Sequence, residues 1–309
     1  MTLAFVFPGQ GSQSIGMLQE SAEAVAPTFE EASDALGYDL WRLIQEGPEA
    51  RLNETEFTQP ALLTASVALW RIWIQHGAQP AYLAGHSLGE YSALVAAGVV
   101  SLREGVQMVQ TRGQLMQAAV PIGEGGMAAV MGLSDDAIVE ACQKASEATD
   151  LGQVQAANLN APGQVVISGT SEALAVAIEL CKTAGAKRAI PLNVSAPFHS
   201  ELMRPAAEQL AMSLEDIQFQ PPQIPIVQNV LASDCVDPET IKQNLITQMY
   251  SAVRWTESVE FLASAGVTDV VECGPGKVLT GLNRRIDKAL RAHNIDSRES
   301  ALSVNLGAV

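Results

Sequence analysis

Residues 81–98, AYLAGHSLGEYSALVAAG, predict a strand, a tight turn and a helix in direct succession. Ala81–Ala84 is a short apolar strand, Gly85–Gly89 forms the turn, and Gly98 is a suitable cap for the end of the helix. The apolar run Leu3–Phe7 predicts an earlier buried strand, and a similar succession of strands and helices resumes after residue 197. This order predicts an α/β fold with a mainly parallel sheet.

Apolar periodicity and capping residues predict the other elements of this fold. Ser101 to Glu104 fits a capping box, and the prolines of Gln59-Pro60 and Asp237-Pro238 suit helix starts. The predicted helices span 59–75, 101–120, 201–213, 238–250, 257–265 and 278–292, and further strands span 224–230 and 267–272. We expect the tail beyond Asn294 to be irregular.

The pattern changes at Gly123–Gly126. From there, strands at 127–132, 153–158, 164–168 and 187–192 combine with helices at 135–148 and 171–184 in the order β-α-β-β-α-β. This is the ferredoxin-like order, and Asn160-Ala-Pro-Gly163 lies where its middle two strands must reverse direction. We therefore expect a small domain at 126–197, inserted into a large domain formed by 1–125 and 198–309.

The composition is that of a globular chain and argues against several functions. Of 309 residues, 48% are hydrophobic and 17% charged, and a formal charge of -16 makes nucleic-acid binding unexpected. No apolar run approaches the length of a membrane span. The four cysteines form no CxxC pair and have no histidine nearby at metal-ligand spacing, so we expect reduced thiols, no metal site and a cytoplasmic protein.

Ser87 is the candidate nucleophile, because residues 85–89 match G-x-S-x-G between a strand and a helix. A sharp turn there exposes the serine, and glycines avoid clashes at the flanking positions. The helix N-terminus offers N–H groups to a developing oxyanion. The alternative is a glycine-rich turn in which Ser87 only caps the helix. The strand and helix on either side favour the nucleophile.

A nucleophilic serine needs a base, and the chain has four histidines. His86 adjoins Ser87 on a turn that separates neighbouring side chains, His76 ends a helix, and His293 lies near the C-terminus. His199 lies where the small domain returns to the large one, and an interdomain cleft is a common place for a site. His199 is therefore the candidate base, with a structural histidine as the alternative. No aspartate is suitably placed for a triad, so we expect a Ser–His dyad whose imidazole is held by a neutral carbonyl.

Arg112 places a guanidinium on an apolar helix face, since Met108, Val109, Leu115 and Met116 lie three and four residues away. An unpaired charge in such surroundings is unfavourable. One interpretation is a structural ion pair or a side chain that reaches solvent. The other is a bidentate seat for a substrate carboxylate. The pattern of residues leaves both open.

Eight ordered stretches resemble malonyl-CoA:acyl carrier protein transacylases of bacterial type II fatty acid synthesis. They are FVFPGQGSQ at 5–13, FTQP at 57–60, GHSLGEYSAL at 85–94, TRGQLMQ at 111–117, APGQVVISG at 161–169, APFHS at 196–200, Gln248 ahead of VRW, and ECGPGKVLTGL at 272–282. The resemblance covers the chain from Phe5 to about Ile286. It implies an α/β-hydrolase-like large domain with a ferredoxin-like insert.

The resemblance also implies a role for each matching residue. Ser87 matches the acylated nucleophile, His199 the base, and Gln248 the residue whose carbonyl orients that base. Arg112 matches the group that holds the free carboxylate of malonyl. The other matches are Gln10 and Leu88, whose backbone N–H groups form the oxyanion hole, and Phe198, which resembles the residue of malonyl-preferring members.

The implied reaction is ping-pong transfer of malonyl from malonyl-CoA to the phosphopantetheine thiol of acyl carrier protein, with no metal or redox cofactor. Three alternatives share parts of the pattern. A stand-alone acyltransferase of a polyketide assembly line differs in the carrier it serves. A thioesterase or other serine hydrolase would release free acid, and a non-catalytic docking protein would leave Ser87 unlabelled.

Basic residues cluster near the C-terminus of this acidic chain. Arg284, Arg285, Lys288 and Arg291 fall within eight residues, and on the predicted helix 284, 288 and 291 share one face. Because carrier proteins of this pathway are acidic, this face is a candidate docking site. A second cluster comprises Lys182, Lys187 and Arg188. The alternative is that these charges only stabilise helix ends.

Overall fold

A computed structural model describes residues 2–121, 123–150, 152–194 and 196–304. Met1, Ile122, Leu151, Ser195 and residues 305–309, which the predicted domain ranges include, lie outside the described residues. Within them the strands are β1 Leu3–Phe7, β2 Tyr82–Gly85, β3 Gly125–Met131, β4 Val154–Ala161, β5 Gln164–Thr170, β6 Arg188–Pro191, β7 Ile226–Gln228, β8 Ser233–Cys235, β9 Asp269–Cys273 and β10 Arg291–Ile295. The helices are α1 Ala22–Leu36, α2 Leu40–Glu46, α3 Glu49–Leu52, α4 Thr55–Trp73, α5 Gly89–Ala96, α6 Leu102–Ala118, α7 Asp135–Glu147, α8 Ser171–Thr183, α9 Arg204–Leu214, α10 Pro238–Gln248, α11 Trp255–Ser264, α12 Val278–Ile286 and α13 Arg298–Ser303.

The larger sheet is mainly parallel and has the strand order β10-β9-β1-β2-β7-β8, with β8 antiparallel to β7. All side chains of the central strand β1 are buried, because it contributes Phe5 and Phe7 to one core and Ala4 and Val6 to another on the opposite face. This confirms the predicted α/β fold. Phe7 pairs with Gly85, so the loops that follow β1 and β2 leave the same edge of the sheet side by side.

The smaller sheet is antiparallel and has the order β4-β5-β3-β6. Helices α7 and α8 pack on it and share a hydrophobic core with it. The chain reverses between β4 and β5 at Gly163, whose φ of 71° is the left-handed conformation that glycine adopts readily. This is the predicted ferredoxin-like arrangement, and the fold class is confirmed. The boundaries at residues 126 and 197 stay a prediction.

Backbone hydrogen bonds join the smaller sheet to the rest of the chain. The N–H of Leu159 donates to the carbonyl of Val253, and the N–H of Val253 donates to the carbonyl of Ala157, both at 2.9 Å. Asn158 and Val253 thereby form a short parallel bridge along the outer edge of β4. This pairing, just ahead of α11, fixes β4 against the larger body.

The predicted start of the helix at 59 is wrong, because α4 begins at Thr55 and holds Pro60 inside it. The Thr58 hydroxyl donates to the carbonyls of Leu52 and Glu54 and so secures the first turn. These side-chain bonds and the burial of Thr55 and Thr58 extend the helix towards its N-terminus.

The predicted helix at 278–292 is wrong beyond Ile286, where α12 ends. Arg291 instead begins β10, which pairs in parallel with β9 from Asp269 onward. Residues in this segment gain a ladder of hydrogen bonds that a longer helix would forgo. The tail expected to be irregular contains the rest of β10 and α13. Within the described ranges, no helix combines the length and apolar character that crossing a membrane requires.

Candidate active site

Ser87 lies on a tight turn between β2 and α5. Its φ of 53° is rare for a residue with a side chain, and its N–H donates to Asn229 Oδ1 at 2.8 Å. Both flanking residues must be glycine, because a side chain at either position would clash with the backbone. A Cβ on Gly85 would lie 1.9 Å from the carbonyl carbon of Gly89, and one on Gly89 would lie 2.0 Å from the carbonyl oxygen of Phe7. The turn therefore has the geometry of a nucleophile elbow.

The ring of His199 lies against this serine. Its Nε2 is 2.7 Å from Ser87 Oγ, and its Nδ1 is 2.8 Å from the backbone carbonyl oxygen of Gln248. A carbonyl can only accept, so Nδ1 carries the proton and Nε2 is free to accept one from Ser87. Burial, and next the charge of Arg112, lower the pKa of His199 to about 3. The imidazole is therefore neutral at physiological pH and able to act as a base.

The other three histidines form other hydrogen bonds or lie at the surface. His86 is held through Nε2 by Asn160 Oδ1 at 2.7 Å, and His293 lies 3.0 Å from Asp269. His76 is exposed at the end of α4. Of the four histidines, all within the described residues, His199 alone has a ring nitrogen hydrogen-bonded to Ser87 Oγ.

Gln248 acts through two separate groups. While its backbone carbonyl contacts His199, its side-chain Oε1 accepts from Arg112 at 2.9 Å. Its Nε2 donates to the carbonyl of Ser87 at 3.1 Å and to Glu90 at 3.2 Å. One residue at the end of α10 thus connects the base, the elbow and the buried arginine.

Arg112 is fully buried, yet none of the ion pairs among the described residues includes it. Its guanidinium donates to Gln59 Oε1 and Gln248 Oε1, each at 2.9 Å, and to Ser87 Oγ at 3.2 Å. Burial lowers its pKa. The side chain is neither in a structural ion pair nor reaching solvent, which leaves its charge directed at the nucleophile.

A cavity of about 730 Å³ opens over Ser87, and residues of both the larger body and the smaller sheet line it. Ser87, His199, Phe198 and Gln10 line it from the larger body, and Met127 lines it from β3. No described residue accepts a hydrogen bond from the backbone N–H of Gln10.

The N–H of Leu88, at the start of α5, is similarly without an acceptor among the described residues. Two free donors beside a nucleophilic serine, a neutral histidine and an unpaired cation form a site suited to acyl transfer. The sequence of residues 4–301 matches the model of the acyl transferase domain.

The chain belongs to the acyl transferase domain family. It is 54% identical over 307 residues, 98% of each chain, to the malonyl CoA-acyl carrier protein transacylase of Salmonella typhimurium. An acyl carrier protein S-malonyltransferase of Vibrio cholerae superposes with a TM-score of 0.95 at 53% identity, covering 98% of this chain and 100% of that one. A malonyl-transacylase solved in complex with a type II polyketide-synthase carrier protein superposes with a TM-score of 0.95 at 50% identity, covering 98% of both.

In this acyltransferase, Glu90 and Asn229 are site residues that the sequence argument missed. Glu90 is fully buried on α5 and accepts from the N–H of Asn229 at 2.8 Å and from Gln228 at 3.1 Å. Burial raises its pKa to about 7. Glu90 is the one charged residue of the helix GEYSALVA, and this is the sequence signal that would have found it, as the apolar neighbours of Arg112 did for that residue.

The basic cluster of this acyltransferase does not form the predicted helical face. Arg284 lies on α12, Lys288 follows the helix, and Arg291 lies on β10 with its guanidinium paired to Asp269 at 2.6 Å. Arg284 donates to the carbonyl of Ala292 at 3.0 Å. The prediction that Arg284, Lys288 and Arg291 share one helix face is therefore wrong, although all three side chains are exposed.

Proposed function

We propose that this protein transfers malonyl from malonyl-CoA to the phosphopantetheine thiol of an acyl carrier protein, through an ester on Ser87. The observation that carries the proposal is that the oxygen of Ser87 contacts both a base and a cation. Ser87 Oγ lies 2.7 Å from the base His199 and 3.2 Å from the uncompensated cation Arg112. A thioester attacked by this serine brings a carboxylate on the same acyl group close to the guanidinium.

In the first half-reaction, His199 Nε2 takes the proton of Ser87 as Oγ attacks the thioester carbonyl of malonyl-CoA. The N–H groups of Gln10 and Leu88 stabilise the oxyanion. When the intermediate collapses, the carbon–sulfur bond breaks, the thiolate of coenzyme A receives the proton from His199, and malonyl remains esterified to Ser87.

In the second half-reaction, the carrier's phosphopantetheine thiol gives its proton to His199 and its sulfur attacks the ester. As the second intermediate collapses, the bond between the carbonyl carbon and Ser87 Oγ breaks, His199 returns the proton to Oγ, and malonyl leaves on the carrier. The leaving group of the first half-reaction is a thiolate, which leaves more readily than an amine, so a base oriented only by the neutral carbonyl of Gln248 suffices there. Neither half-reaction requires a metal or a redox cofactor, and we propose that the enzyme uses none.

Arg112 accounts for the choice of malonyl. A buried guanidinium without a resident carboxylate favours an acyl group that brings one. An acetyl group would leave the charge as unpaired as it is without substrate.

We also propose that the enzyme acts in the cytoplasm, since its four cysteines are free thiols.

The identity of the carrier separates two versions of this function. The malonyl-transacylase that resembles this chain at 50% identity was solved in complex with its type II polyketide-synthase carrier protein. The first version supplies malonyl for fatty acid synthesis, and the second supplies a polyketide assembly line. Transfer rates to a fatty-acid and a polyketide carrier protein, measured with the same malonyl-enzyme, decide between them by which carrier reacts faster.

The mass of the intact enzyme after brief mixing with malonyl-CoA tests the proposed chemistry. We expect one added malonyl group, mapped to the peptide containing Ser87 and absent from Ser87→Ala. Label on another residue would contradict the mechanism. Rapid release of free malonate without a carrier would indicate a hydrolase, and an unlabelled wild-type enzyme would indicate a docking protein.

A further inference from the structure

The buried Arg112 is held by amides on two sides. Gln59 on α4 supplies one acceptor and Gln248 on α10 the other, each with its Oε1 2.9 Å from a guanidinium nitrogen. Both glutamine side chains are fully buried. The guanidinium is therefore fixed in position by neutral groups that leave its charge in place.

The orientation of the Gln59 amide is set by its other contacts. Its Nε2 lies 3.4 Å from Gln10 Oε1 and 3.8 Å from Met116 Sδ, so the oxygen of the amide must face Arg112. Gln10 also carries one of the two N–H groups beside the nucleophile. Gln59 thus connects the arginine to the loop that follows β1.

A carboxylate is available nearby but is kept one residue away. Glu90 is fully buried, and its contact with Arg112 passes through the amide of Gln248, whose Nε2 donates to Glu90 Oε2 at 3.2 Å. A direct ion pair would compensate the charge of Arg112 permanently. The two glutamines instead occupy the positions from which a carboxylate would form such a pair.

We propose that Gln59 is a specificity-determining residue: its neutral amide orients Arg112 while leaving the charge for a carboxylate on the incoming acyl group. The inference rests on the proposed function, since it assumes that Arg112 receives the acyl carboxylate. A glutamate at position 59 has nearly the same size and lies within ion-pair distance of Arg112. Beside a cation it would stay ionised, and it would compete with the substrate for the guanidinium.

Three variants test this role by the ratio of acylation rates with malonyl-CoA and acetyl-CoA, followed by intact mass. In Gln59→Glu we expect the malonyl-to-acetyl ratio to fall by ~10² or more, because the substrate carboxylate meets a resident like charge. Gln107→Glu makes the same chemical change at an exposed position on α6 and should keep the wild-type ratio. A wild-type ratio in folded Gln59→Glu would overturn the inference.

Gln59→Met keeps the test decisive if Gln59→Glu does not fold. Methionine fills similar space but removes the oxygen that accepts from Arg112. We expect the malonyl-to-acetyl ratio to fall by roughly tenfold, because only malonyl depends on the orientation of the guanidinium. Equal losses with both substrates, or no loss with either, would mean that Gln59 only packs.

Failure of the proposed function gives a different result. If wild-type Ser87 takes no malonyl, or if Arg112→Ala retains the wild-type ratio, the assumption about Arg112 fails before Gln59 is considered. If both controls behave as proposed and the Gln59 variants do not, the inference alone fails.

Discussion

Arg112 and Arg291 show two opposite ways to place an arginine. Arg291 lies at the edge of the larger sheet, with 62% of its side chain exposed, and donates to both oxygens of Asp269. Arg112 is wholly buried and contacts neutral amides and a hydroxyl. Desolvation favours the reverse pattern, since a buried charge needs a partner more than an exposed one does. The comparison assigns Arg291 to the fold and supports the proposal that the charge of Arg112 is kept for a ligand.

The largest effect should come from removing His199, the base that contacts the same serine oxygen as Arg112. His199→Ala should slow acylation of Ser87 by at least ~10², because no other imidazole can take the serine proton. Since the pKa of His199 is lowered to about 3, the wild-type rate should not fall through protonation of this residue between about pH 7.5 and about pH 5.5. Single-turnover acylation at several pH values measures both the loss of rate in His199→Ala and the pH dependence of the wild-type rate. Near-normal turnover in a folded His199→Ala enzyme would return the role of base to another group.

Selectivity should distinguish the two arginines directly. Arg112→Ala should lower the malonyl-to-acetyl ratio of acylation rates by ~10-fold or more, because it removes the only proposed partner of the malonyl carboxylate. Arg291→Ala is the matched control and should keep the wild-type ratio. If both variants shift the ratio alike, or neither does, the distinction between a functional and a structural arginine is wrong.

The stability of the fold, in contrast to substrate selectivity, should depend on Arg291. The side chain of Arg291, followed by the effect of His293 and Thr268, holds the pKa of Asp269 well below its ordinary value. A lowered carboxyl pKa stabilises the folded state above the unfolded pKa, about 4, and this contribution is lost as the pH falls further. Arg291→Ala should therefore lower the melting temperature by roughly a few degrees at neutral pH, and the difference from wild type should shrink below about pH 4. A difference independent of pH would contradict the assigned ion pair.

The smallest effect concerns the exposed charges around the end of α12. Reversing Arg284 and Lys288 to glutamate should slow transfer to an acidic carrier protein by a few-fold and weaken the fall of this rate with added salt, because the attraction that salt screens is lost. Acylation by malonyl-CoA should change less, because the carrier takes no part in it. Equal changes in both half-reactions, or no change in either, would exclude this surface as the docking site.

The parts predicted correctly from the sequence depended on local patterns. The G-x-S-x-G turn between strand and helix located Ser87, and an apolar helix face drew attention to Arg112. Glu90 gave a similar local signal that was not used. The residues alone predicted that a neutral carbonyl holds the imidazole, and the resemblance assigned it to Gln248. That this carbonyl belongs to the backbone, while the side chain contacts Arg112, needed the structure, because no pattern of residue types reveals it.

The failure at 278–292 has a different cause. Nothing local separates α12 from β10, since the basic residues of this segment suit a helix as well as an edge strand. What ends the helix is the parallel ladder with β9, formed by residues about twenty positions earlier in the chain. Long-range pairing of this kind decides secondary structure wherever intrinsic preference is weak.

The bridge between Asn158 and Val253 has a mechanical consequence for how substrates reach the serine. Opening the angle between the two sheets would stretch the pair of backbone hydrogen bonds on either side of Val253. Hinge motion is thereby resisted beside the cavity, which Asn158 helps to line, so the space above Ser87 is formed before any substrate binds. On the proposed function, coenzyme A and the carrier's phosphopantetheine arm would therefore react with Ser87 in one pre-formed cavity, without a change in the angle between the sheets.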